Sequence, residues 1–397
     1  MKYNFDEIIK RGKRNSIKWN SKYYKAMFNN HEDLLSMWVA DMDFRVSDGI
    51  QNRLKKLIDH GIYGYGAIDD EYYEAIIRWN KLRNGWDIPK EAICHTPGIV
   101  PAINYILQTY TKEKDSVMIF TPVYGPFKRS IINNKRIVVT CPLLKDENNN
   151  YNLDFQKMEM LIKEKDVKMI IFCSPHNPIG RVWRKEEIEK VADICLDNKV
   201  LMICDEIHSD LIFGDNKFVS YGNLDEKYLE NGIICNAVSK TFNLAGMQVS
   251  NIIIHNTVLR EKYKQTLALY NIGAPNAFAI EAVKGAYLES DEWYKEMKEY
   301  IYNNMVFAKE YIDKNLPKLK YNIPQGTYLG WIDFNAYNLY GKEMEDVFEE
   351  KIKVGIDYGH WFGEEGKGFI RMNFACPREV VIEALVRVKK YIDTLEK

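Results

Sequence analysis

The sequence predicts an α/β protein: a mainly parallel sheet with helices on both faces, joined to a smaller α+β domain. Short, continuously apolar runs rich in β-branched residues recur through the middle of the chain, as strands buried on both faces require. Amphipathic helical patterns separate several of them, and that alternation builds parallel sheets. After about residue 290 the texture changes to long helical stretches with few strand-like pieces.

In chain order the strand candidates are Val117–Thr121, Ile137–Cys141, Lys168–Cys173, Val200–Cys204, Ile233–Val238 and Asn251–Ile254. The clearest intervening helix is Arg184–Asn198, with Ile188, Val191, Ala192 and Cys195 on one face and charges opposite. Further on, Glu292–Asn315, Glu343–Lys353 and Arg378–Glu396 read as helices flanking strand-like Tyr328–Phe334 and Gly368–Phe374. This divides the chain into an arm at 1–49 that completes the small domain, a large domain at 50–289 and a small domain at 290–397. Asn148–Asn150 is a polar turn, and no repeat or low-complexity segment interrupts the pattern.

Composition narrows the function classes. A chain of 397 residues with 46% hydrophobic and 28% charged residues suits a two-domain globular enzyme. A formal net charge of −1 gives no footing for nucleic acid or an anionic membrane. The basic run Lys10, Arg11, Lys13, Arg14, Lys18 lies beside Asp6 and Glu7 with no apolar core after it, so no targeting peptide is expected. No apolar stretch approaches the ~20 residues of a membrane helix, and the expected location is cytoplasmic. Seven cysteines (Cys94, Cys141, Cys173, Cys195, Cys204, Cys235, Cys376) are scattered without C-x-x-C spacing, which predicts buried reduced thiols. The histidines show no ligand spacing either, so no metal is expected.

Three polar residues follow three of the predicted strands. Asn177 follows Lys168–Cys173, Asp205 follows Val200–Cys204, and Lys240 follows Ile233–Val238. Ligands of open α/β sheets bind at the carboxyl ends of the strands, so an amide, a carboxylate and an amine meet at one rim. Pyridoxal phosphate (PLP) uses that set: an amine for a Schiff base, a carboxylate for the pyridine nitrogen and an amide donor for the ring oxygen. Tyr124 offers an aromatic face, and Thr96-Pro97-Gly98-Ile99-Val100 leads into a helical Pro101–Tyr110 whose first N–H groups suit a phosphate. Taken singly, each has a plainer reading. A lone Asp after a strand caps a helix, a lone Lys is solvated, and Asn-Pro forms turns. Their joint order at strand ends favours the functional one.

The runs Ser174-Pro175-His176-Asn177-Pro178-Ile179-Gly180, Asp205-Glu206-Ile207-His208 and Ser239-Lys240-Thr241-Phe242-Asn243-Leu244-Ala245-Gly246 resemble signatures of the class I/II, fold type I PLP-dependent enzymes. Trp38-Val39-Ala40-Asp41-Met42-Asp43-Phe44, with Phe362-Gly363 and Gly368-Phe369-Ile370-Arg371, narrows the resemblance to the cystathionine β-lyase (C–S lyase) branch, over essentially the whole chain. The resemblance implies Lys240 as the Schiff-base lysine, Asp205 on the pyridinium, Asn177 on the ring oxygen and Tyr124 stacked on the ring. It places Gly98, Ile99 and Ser239 at the phosphate, His208 near the ring, and Arg371 on the substrate α-carboxylate. Family members are homodimers with shared sites, and Tyr65 resembles the tyrosine that reaches the partner's phosphate.

Three positions depart from the pattern. Gln248 stands where many aminotransferases have a phosphate-binding arginine, Ala237 where they often have serine, and Tyr358-Gly359 where relatives have Pro-Gly. The implied activity is α,β-elimination on L-cystathionine or related S-substituted cysteines, giving a thiol, pyruvate and ammonia. An aminotransferase shares the same ring contacts, and a non-catalytic regulatory protein on this scaffold is the third reading. No strand is followed by G-x-G-x-x-G, which sets a dinucleotide-binding dehydrogenase aside.

Overall fold

Strands without a polar face must be covered on both sides, and seven of them pair into one central sheet. They are β1 (Ile93–Thr96), β2 (Ser116–Thr121), β3 (Ile137–Pro142), β4 (Val167–Cys173), β5 (Leu201–Asp205), β6 (Gly232–Asn236) and β7 (Ser250–Ile253). The computed structural model describes residues 2–11, 16–29, 31 and 33–395; Lys13, Arg14 and Glu396 of the sequence reading lie outside them. Strand order is β1-β7-β6-β5-β4-β2-β3, and only β7 runs against its neighbours.

Side chains split by a period of two. Met118, Phe120, Ile170, Phe172, Met202, Cys204 and Ile234 join one buried cluster, while Val117, Ile119, Met169, Ile171, Ile203, Ile233 and Cys235 join the other. The second cluster is sealed by Ile103, Ile106 and Leu107 of helix α1 (Ile99–Tyr110). The first runs on under helix α2 (Lys185–Asp197) through Ile188, Val191 and Cys195.

The smaller sheet contains β8 (Lys320–Tyr321), β9 (Leu329–Asp333), β10 (Asp357–Tyr358) and β11 (Phe369–Asn373), in the antiparallel order β8-β9-β11-β10. Helices α3 (Asp291–Asn315) and α4 (Arg378–Leu395) join there, with Arg378 Nε donating to Asn304 Oδ1 at 2.6 Å.

The structure revises several expected bounds. Strand β6 stops at Asn236, because Ala237 is extended and Val238 opens a short helix to Thr241. Strand β1, four residues broken up by His95, carried no visible apolar run. The helix expected at Glu343–Lys353 is an α-helix over Gly341–Asp346 that widens to a π-helical turn over Val347–Ile352.

The segment around Trp38–Asp43 is pinned to both sheets. Asn373 Nδ2, on β11, donates to the carbonyls of Val39 and Asp41 at 2.7 Å each. Asn243, beyond β6, bonds the backbone of Met42 on both sides at 2.9 Å. The fully buried Lys18 ammonium reaches Asp43 Oδ2 at 2.6 Å, and Arg11 bonds both Asp41 and Asp43.

Candidate active site

Parallel strands bring their carboxyl ends to one rim, and register aligns them: Cys173 pairs with Asp205, and Asp205 with Cys235. Just beyond this row lies a cavity of about 420 Å³. Gly98, Ile99, Tyr124, Asn177, Asp205, His208, Ser239, Lys240 and Arg371 all line it. Tyr65 does not; it is fully exposed in the loop after Gly61.

Lys240 sits in the short helix after β6, and its Nζ donates to the Ala40 carbonyl at 2.7 Å. Tyr328 Oη donates to the same oxygen at 2.8 Å. Burial, aided by the nearby Arg371 charge, pulls the Lys240 amine down to about 8. Asp205 ends β5, and among the described residues its carboxylate accepts one hydrogen bond, from Ile207 N–H at 3.1 Å. Burial pushes its carboxyl up to about 7.

Arg371 lies on β11 opposite Asp357 of β10 and forms an ion pair with it. Its Nη1 donates to Asn177 Oδ1 at 2.9 Å, and its guanidinium lies 4.9 Å from the Phe362 ring centre. A guanidinium only donates, so this contact fixes the Asn177 amide with Nδ2 free to donate elsewhere. Desolvation and the charges of Lys240 and Arg371 hold buried His208 well below the ordinary histidine value. That imidazole is neutral. Tyr124 precedes the helix Gly125–Asn133 and meets Phe127 edge-on at 5.6 Å, which sets its ring plane.

At the other wall, Gly98 precedes α1 at φ 135°, a backbone state that glycine adopts without strain. No side chain caps that helix, so its first-turn N–H groups remain for an anion. Gln248 also lines the cavity, whereas a methyl is all that Ala237 presents.

These residues fit PLP. A buried carboxylate with one N–H donor suits a cationic ring nitrogen, the amide Nδ2 suits a ring oxygen, and the uncapped helix start suits the phosphate. The sequence reading missed Ala40, Tyr328 and Asp357. Backbone carbonyls leave no residue signature, although Ala40 lies within the Trp38–Phe44 run that carries the family resemblance. Asp357 stood one residue before the noted Tyr358.

A doubly layered sheet with this constellation at its rim defines a class of PLP-dependent enzymes. The chain belongs to the aminotransferase class I and II family, whose model matches residues 33–388. It is 36% identical to cystathionine β-lyase PatB of Bacillus subtilis strain 168, over 97% of this chain and 99% of the relative. Cystalysin from Treponema denticola, a crystal structure containing PLP, is 36% identical with a TM-score of 0.95 and full coverage of both chains. A PLP-bound protein of Clostridium difficile 630, assigned provisionally as an aminotransferase, is 40% identical with a TM-score of 0.95, covering 98% of this chain and 100% of that one. Among the described residues, no helix is long and apolar enough to cross a membrane.

Proposed function

We propose that this protein is a PLP-dependent C–S β-lyase that eliminates a thiol from L-cystathionine or related S-substituted cysteines, with pyruvate and ammonia as the other products. The observation that carries this reading is the convergence of Lys240, Asp205, Asn177 and Arg371 on one cavity. The likeness to a cystathionine β-lyase along nearly the whole chain supports it.

PLP, when bound, supplies an electron sink for negative charge at the substrate Cα. Lys240 is the residue that would hold it covalently, and its depressed amine is suited to lift the Cα proton near neutral pH. Asp205 would keep a proton on the ring nitrogen, and Asn177 Nδ2 would donate to the ring oxygen. The first turn of α1 and Ser239 would take the phosphate, with Tyr124 against the ring face. His208, neutral and packed edge-on to Tyr328 at 6.1 Å, fills the space beside the ring. Arg371 receives the substrate α-carboxylate in a bidentate grip, aimed in advance by Asn177 and Asp357. With the carboxylate held there, Lys240 in the same cavity would be the base for the Cα proton, and a thiol would be lost from Cβ.

The chain works as a cytoplasmic homodimer in this proposal. Exposed Ile62, Tyr63 and Tyr65 form an apolar-aromatic loop suited to a second copy, with Tyr65 reaching the partner's phosphate site. The large domain spans 50–289, and 1–49 with 290–397 makes the small one.

The deciding experiment supplies L-cystathionine alone. Pyruvate released without any added oxo acid supports the lyase; strict dependence on an oxo acid makes the protein an aminotransferase and overturns it.

A further inference from the structure

One charged side chain of the cavity has no task in the chemistry above. Arg129, on the helix Gly125–Asn133, lines the cavity, yet among the described residues it makes no hydrogen bond and no ion pair. An exposed arginine normally finds a carboxylate one helical turn away, but the residues at i−4, i−3, i+3 and i+4 are Gly125, Pro126, Ile132 and Asn133. The cavity contains only two carboxylates, Asp205 and Asp357, both buried, and Asp357 is already paired with Arg371. Among the described residues, no carboxylate forms an ion pair with this guanidinium.

Its position is specific. A Cβ added at Gly125 would lie 3.0 Å from the Trp361 carbonyl and 3.7 Å from Arg129 Nη1. The bare glycine lets the helix start approach the Trp361 carbonyl, with the Arg129 guanidinium close by at the cavity. Trp361 and Phe362 belong to the connection between β10 and β11, and Phe362 packs under the Arg371 guanidinium. Arg129 is thus linked through Gly125 to the Trp361–Phe362 segment, and Phe362 meets Arg371. The phosphate end, at Gly98 and Ser239, is formed by other elements. Pro126, Trp361 and Phe362 add apolar surface to the same cavity.

We propose that Arg129 is a specificity-determining residue that receives a second carboxylate, carried by the substituent on the substrate sulfur. The substrate class is then a cysteine thioether with an acid at each end: the α-carboxylate on Arg371, methylenes and sulfur along that apolar surface, and the distal carboxylate on Arg129. Thioethers with a neutral alkyl substituent leave that guanidinium in water and gain nothing from it. This inference rests on the lyase reading for the sulfur, whereas the charge at the far end rests on Arg129 alone.

The test pairs S-(2-carboxyethyl)-L-cysteine with its neutral isostere S-(2-carbamoylethyl)-L-cysteine, using pyruvate release by the holoenzyme. Wild type prefers the acid by roughly tenfold in kcat/KM, mainly through KM, as a half-solvated charge-assisted contact predicts. Arg129→Gln brings the ratio close to one, and Arg129→Lys retains part of it. An unchanged ratio in Arg129→Gln, or a wild type without preference, overturns the proposal and leaves the lyase intact. Calorimetry of the holoenzyme with heptanedioate, which has the same five-atom spacing between its carboxylates, and with its monoamide reads the same preference without catalysis. Heptanedioate preference that depends on Arg129 while neither thioether yields pyruvate would retain the anion site and reject the lyase.

Discussion

Arg371 Nη1 donates to Asn177 Oδ1 at 2.9 Å, so the proposed carboxylate clamp and the proposed contact to the cofactor ring are mechanically one unit. Residues that share a hydrogen bond do not behave additively when mutated. Arg371→Lys keeps the charge and loses the fork; KM for L-cystathionine should rise by roughly 10- to 100-fold with a smaller effect on kcat. Asn177→Ala should raise KM as well. The double variant should cost less than the two separate losses combined, as steady-state kinetics on all four proteins will show.

Lys240→Ala should reduce pyruvate formation by at least about 10³-fold and leave no protein-bound chromophore after borohydride reduction with PLP. The amine must be neutral to attack an aldehyde, and its value is pulled down to about 8. For protein stripped of cofactor, the rate of PLP capture should therefore climb with pH and level off above about 8. An ordinary lysine would continue to gain until well past 10.

Asp205 gives a stability prediction for the same cofactor-free protein. Its carboxyl ionises near 3.8 when unfolded and near 7 when folded. Between those values the folded chain retains a proton that the unfolded chain has lost, so rising pH favours unfolding. Asp205→Asn removes that dependence. The Tm advantage of Asp205→Asn over wild type should widen from pH 4 to pH 7, and equal slopes would contradict the assigned burial.

All seven cysteines are buried, and burial raises the thiols of Cys173, Cys195, Cys204 and Cys235. A thiolate is the reactive form. A disulfide reagent such as Ellman's should label essentially none in the native protein within minutes and all seven after denaturation in guanidinium.

Much of the site was legible because its side chains follow strands of recognisable composition. Asn177, Asp205 and Lys240 each come directly after an apolar run, and parallel pairing does the rest. The reversal of β7 was not legible: Ser250–Ile253 has the same β-branched texture whichever way it points. Ala40 acts through its carbonyl, which any residue possesses, so its part depends on long-range folding of the arm. Asp357 reaches the cavity from the smaller sheet and Arg129 from the helix Gly125–Asn133, and nothing local in either neighbourhood announces the meeting. Tyr65 was found by resemblance alone and points into solvent in a single chain, where one subunit gives it no work.

The Ala40 carbonyl that receives Lys240 and the strand that presents Arg371 are made far apart in time during translation. A nascent chain that has released only its first three hundred residues from the ribosome has the sheet rim and the lysine, but not the clamp or the asparagine that ties down the arm. Vitamin B6 capture is open to such a chain, whereas selective grip on an amino acid waits until Arg371 and Asn373 have emerged. A protease that clips the C-terminal region should accordingly leave a yellow protein that has lost its appetite for substrate.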